Sequence, residues 1–112
     1  MEYLKKKQSQ IFINGNIVAR EYITKNKNIN IALVEIKGRH PKENWIVNKE
    51  VTELTFITKG SAILNTETER VSLKEGDVAI LKPNEKYFWE GNCTLLTPCT
   101  PAWTPRQNKI VK

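Results

Sequence analysis

Apolar and polar residues alternate along this chain in short bursts, and most bursts end at Gly, Pro, Asn or a charged pair. Period-two alternation is the mark of half-buried β-strands, because successive side chains point to opposite faces. Gln10–Ile13 and Asn16–Ala19 flank Asn14-Gly15, two residues that tolerate positive φ and predict a tight hairpin turn. Ile29–Ile36 is apolar on both faces at its centre, as in a strand covered on both sides. Gly38 to Asn44 mixes Gly, Pro and charges and reads as a loop that carries His40. Further strands are predicted at Ile46–Val47, Glu53–Thr58, Ser61–Asn65, Arg70–Leu73, Asp77–Leu81, Lys86–Glu90 and Thr94–Thr97. Strands at such short, regular spacing predict an all-β sandwich or barrel. Pro98, Pro101 and Pro105 remove ladder donors from the tail, so the core is expected to end near residue 105. Residues 1–9 read as a loose basic segment, and the whole of 1–112 as one domain.

Composition narrows the classes of partner. The chain carries 18 Lys and Arg against 12 Asp and Glu, a net charge of +6. Only 4 of the 18 are Arg, the residue that binds phosphate through a planar fork, and Lys5-Lys6-Lys7 is the one basic run. Lys, Asn and Ile make up 37 of the 112 residues, so the basicity reads as a general compositional bias and nucleic acid is not an expected partner. No apolar run reaches the ~20 residues that span a bilayer, and the start lacks the apolar stretch of a signal peptide. Cys93 and Cys99 lie six residues apart in an extended stretch, roughly 20 Å if fully extended, too far for a disulfide without a fold-back. Reduced thiols and no leader predict a cytoplasmic protein.

One frame stands out. Glu53 is followed after six residues by Gly60, and sixteen residues later comes Gly76-Asp77-Val78-Ala79-Ile80-Leu81-Lys82-Pro83-Asn84, running into Tyr87-Phe88-Trp89. Gly60 and Gly76 suit positive φ, Asp77 can hydrogen-bond its own turn, and Asn84 tolerates the left-handed conformation. This frame resembles the two signature segments of the cupin superfamily, and it spans about Trp45 to Trp103. The resemblance implies a jelly-roll barrel. In that family three histidines and a glutamate usually hold a metal. Here Glu53 keeps the glutamate position. The first two histidine positions fall on Ile46 and Asn48, or on Val47 and Lys49 with the shorter gap, and the third falls on Tyr87. These residues make a poor transition-metal set, so neither metal nor cofactor is expected.

The frame places Glu53 inside the barrel, on the same face as Thr55 and Ile57, with Tyr87 and Trp89 pointing in from the second segment. A buried carboxylate needs donors, and Asn48 and Tyr87 are the available ones. The expected site is therefore Asn48, Glu53 and Tyr87 at the floor of a pocket lined by Trp89, holding a small polar ligand such as a carbohydrate or an organic acid. Trp45 and Trp103 read as packing residues, Trp103 over a barrel end, and His40 as a surface residue. The leading function is non-catalytic ligand binding. The alternatives are a metal-independent sugar isomerase or epimerase using Tyr87 and Glu53, and a sensory or interaction module. Apolar residues on the outer face at Leu54 and Phe56 call for a cover, either the N-terminal hairpin or the second copy of a homodimer.

Overall fold

A computed structural model describes residues 1–112 as an all-β chain whose ten strands join in one curled sheet. The strands are β1 (Gln10–Asn14), β2 (Ile17–Tyr22), β3 (Ile31–His40), β4 (Trp45–Asn48) and β5 (Thr52–Thr66), then β6 (Arg70–Lys74), β7 (Val78–Leu81), β8 (Tyr87–Leu96), β9 (Cys99–Thr100) and β10 (Asn108–Val111). Every pairing is antiparallel. The order β1-β2-β3-β8-β4-β10 forms one path, and β5 joins it by pairing with β8 while also holding β6, β7 and β9. No helix is long and apolar enough to cross a membrane.

Strand β5 shapes the barrel. The sequence predicts two strands separated at Lys59-Gly60 and, opposite them, two more separated at Gly91-Asn92. Both pairs are instead single continuous strands. The glycines are points of close approach within the ladder, not turns: Gly60 faces Cys93 and Gly91 faces Ala62. Gly60 has φ +80°, and a Cβ there would collide with the Asn92 carbonyl. At Gly91 (φ +137°) a Cβ would lie 2.8 Å from both Ala62 Cα and the Ser61 carbonyl oxygen. A register shift between Ile57 and Lys59 adds the bend that carries β5 from one side of the barrel to the other.

Alternation then fills the interior. Glu53, Thr55 and Ile57 point inward from the first half of β5, and Ala62 and Leu64 from the second. Leu81, Tyr87, Trp89 and Leu95 meet them from β7 and β8. Leu54 and Phe56 face outward as expected, but Phe56 is 39% exposed and Ile80, the register partner of Leu54, 61%. The N-terminal hairpin does not cover them, because it extends the sheet edge-on by pairing with β3.

Four local expectations are corrected. The hairpin turn is Gly15-Asn16, one residue later than predicted: Asn14 pairs with Ile17 and only Gly15 has positive φ (+59°). Asn16 is drawn into the turn because its side-chain amide donates to the carbonyls of Lys37 and Arg39. His40 does not sit in a polar loop; it ends β3 opposite Trp89, half-buried, and burial lowers its pKa. The N-terminal segment is tied down rather than loose, since Glu2 accepts the backbone N–H groups of Lys25 and Asn26. Finally, the core does not end near 105. β10 pairs along β4, Asn108 with Asn48 through Val111 with Trp45, and Gln107 just before it is 2% exposed.

Candidate functional site

The region around Glu53 is built from six segments. Glu53 is the second residue of β5, flanked in register by Leu81 of β7 and Cys99 of β9. Asn48 ends β4, Tyr87 begins β8, and Gln107 and Asn108 arrive from the C-terminal segment. All but the half-buried Asn108 are buried, with Asn48 at 1% and Glu53 at 8% exposure.

The polar contacts form a chain with one direction. Gln107 Oε1 accepts the backbone N–H groups of Glu50 (3.1 Å) and Val51 (3.4 Å). Its Nε2 must therefore point the other way, and it donates to Asn48 Oδ1 at 3.0 Å. Asn108 Nδ2 donates to the same oxygen at 2.9 Å. Asn48 is left with its amide N–H groups facing the barrel, and Nδ2 donates to Glu53 Oε1 at 3.3 Å. Each bond polarises the next, and the chain delivers one oriented donor, Asn48 Nδ2, to one carboxylate oxygen. Cys99 Sγ lies 3.9 Å from that same oxygen.

Glu53 Oε2 has no protein partner. Yet Thr104 Oγ1 is the one fully enclosed side-chain polar atom left unpaired, so Oε2 is not sealed in. Burial raises the Glu53 pKa from 4.5 to about 7, and the Asn48 and Cys99 donors only partly oppose it. No cationic side chain acts on it. Burial, and then the neighbouring Glu53 charge, push the Tyr87 phenol well above its ordinary value, with Asn48 opposing. The same two causes raise the Cys99 thiol. The two cysteines are free, as the sequence predicts.

Of the residues singled out from sequence, Asn48, Glu53 and Tyr87 come together. Trp89, expected to line a pocket, is 2% exposed and packs in the core with Tyr87, Ile46 and Leu81. Trp45 packs edge-on against Phe88, with ring centroids 5.1 Å apart. Trp103 is half-buried and held by reciprocal bonds with the Asn30 side chain. Sequence reasoning missed Gln107 and Asn108. The signal available was slight: a Gln-Asn pair opening the short alternation Asn108–Val111 after the prolines.

These residues do not fit a metal. No cluster of three His, Cys, Asp or Glu exists in the chain. Asn48, at a ligand position of the family frame, turns its oxygen away and presents N–H donors where a cation would sit.

Two surface openings are relevant. One of about 220 Å³ lies on the outer face among Ile29, Leu54, Ile80 and Pro98. The other, about 140 Å³, lies at the seam between β6 and β7, with Leu64, Ala79 and Leu81 as its apolar wall and Glu69 and Glu85 as acidic groups on its lining. Leu81 on this opening and Cys99 on the first are the two register partners of Glu53.

No family model matches the chain, and no curated protein matches it in sequence. Solved structures match it in shape. Pac13, described as a nucleoside dehydratase, superposes with a TM-score of 0.87 at 16% identity, over all of this chain and 92% of its own; Streptomyces Pac13 variants are also known with uridine. Ectoine synthase from P. lautus gives 0.77 at 11% identity over 100% and 91%. Oxalate decarboxylase from Bacillus subtilis gives 0.83 at 13% identity, over 96% of this chain but 31% of the longer enzyme. All are cupin-fold proteins, and at these identities the likeness concerns the fold: this chain is a cupin-type β-barrel.

Proposed function

We propose that the protein binds a small polar molecule, a carbohydrate or an organic acid, at the Glu53 end of the barrel without a metal. The observation that carries this reading is Glu53 itself. A carboxylate buried with no cation, one oxygen met by the Asn48 amide and the other unpaired, costs stability, and such costs concentrate at sites that serve a ligand. Surface openings lie on both sides of Glu53 in the sheet register, one lined by Leu81 and the other by Cys99. Fold neighbours of nearly the same length include enzymes, Pac13 and ectoine synthase, which supports a small-molecule role.

Proton transfer is a second reading, favoured by one specific property: an acid titrating near 7 is matched to general acid–base work at neutral pH. Tyr87 would then act as a hydrogen-bond donor to the ligand, since its raised pKa keeps the phenol protonated. A thermal-shift screen with neutral sugars, nucleosides and organic acids tests both readings. Stabilisation by a screened compound that disappears in Glu53→Gln supports the site. Compounds that stabilise both proteins equally bind elsewhere and overturn it. Turnover of a stabilising compound, lost in Tyr87→Phe, selects the enzyme.

A further inference from the structure

The donor chain restricts what Glu53 can do, and this inference rests on the site reading above. Gln107 Oε1 faces two backbone N–H groups, so its amide has one possible orientation. That fixes Asn48, whose Oδ1 is claimed by two donors, Gln107 Nε2 and Asn108 Nδ2. Asn48 therefore always meets Glu53 Oε1 as a donor. A proton on Oε1 would face an N–H group, so the carboxyl proton resides on Oε2 whenever it is present.

We propose that Gln107 and Asn108 are positioning residues that commit Glu53 to contact its ligand through Oε2 alone, and that the ligand group met there is a hydroxyl of a neutral molecule. A hydroxyl is both donor and acceptor, so it pairs with Oε2 whether or not that oxygen carries the proton. An anion would meet a carboxylate with no cation acting on it. An ammonium group brings three donors, while the free acceptors are Oε2 and the Tyr87 oxygen in surroundings of Ile46, Leu81 and Trp89. The other groups facing Glu53 from the packed elements, Asn48, Tyr87 and Cys99, carry no positive charge. Within the carbohydrate-or-acid class this selects the neutral polyol.

The test separates the donor chain from the ligand. The Glu53 carboxyl is followed against pH by ¹³C NMR in the wild-type protein and in the double variant Gln107→Met, Asn108→Leu, which removes both donors that hold Asn48 Oδ1. Loss of the ordered donor raises the midpoint by about half a pH unit or more. A folded double variant with an unchanged midpoint overturns the positioning role. Should the variant fail to fold, hydrogen exchange of the Asn48 side-chain amide in the wild-type protein decides: slow exchange supports the fixed orientation and fast exchange overturns it. The ligand class is read with glucose, gluconate and glucosamine as matched probes. A shift of the Glu53 carboxyl resonance by glucose alone supports the neutral hydroxyl; a response to gluconate or glucosamine instead overturns it. An intact donor chain with no response to any of the three overturns the site reading rather than the chain.

Discussion

Replacing Glu53 with glutamine should make the protein more stable at pH 8, and by an amount that the structure sets. Burial raises the Glu53 pKa from 4.5 to about 7 because the barrel interior solvates the charged form poorly. The folded state therefore holds this proton more tightly than the unfolded chain does. Below pH 4.5 both states are protonated and the group is neutral in its effect. As pH rises from 4.5 to 7 the unfolded chain releases the proton first, and folding stability falls. Above 7 the loss is complete. At 1.36 kcal/mol per pH unit, a rise from 4.5 to about 7 corresponds to about 3 kcal/mol. That is a large share of the ~5–15 kcal/mol that holds a domain of this size together. In the Glu53→Gln variant the side chain carries no charge at any pH and still offers an oxygen to Asn48 Nδ2. Thermal or urea unfolding of both proteins from pH 4.5 to 8.5 gives the comparison directly, because all other titrating groups cancel in the difference. The two should be nearly equal at pH 4.5 and diverge up to pH 7, reaching about 3 kcal/mol, or roughly 10 °C, in favour of Glu53→Gln. Parallel stability curves, or a variant less stable at pH 8, would refute the claim that Glu53 is a strained carboxylate.

Three further outcomes follow from the geometry. Gly91→Ala should destabilise by at least about 3 kcal/mol, since its Cβ meets backbone at 2.8 Å and its φ of +137° strains any side chain; circular dichroism melts check it. Gln107→Ala leaves the Glu50 and Val51 N–H groups without their acceptor and should cost about 2 kcal/mol, with faster hydrogen exchange along β10. We propose that the exposed Phe56 and Ile80 face pairs with a second copy of the chain; light scattering should show a dimer for the wild-type protein and a monomer for Ile80→Lys.

The fold was legible because period-two alternation needs only local information, and because the Glu53 to Gly60 and Gly76 to Asn84 frame falls where the barrel bends. What misled the reading was the meaning of glycine. Gly60 and Gly91 look like strand ends in a sequence, but they relieve contacts between β5 and β8 that exist only once the two strands cross. The site was half legible for a similar reason. Asn48, Glu53 and Tyr87 lie near the strand signals that orient them. Gln107 gains its role from the backbone of Glu50 and Val51, more than fifty residues earlier, and from Asn48, which no local pattern links to the tail. This asymmetry bears on the chemistry. The residues at the family's histidine positions look inert when read singly, since Ile46 is apolar and Asn48 a weak ligand. Joined to Gln107 and Asn108, Asn48 becomes a fixed donor to one oxygen of Glu53, an arrangement that no single residue of the set discloses.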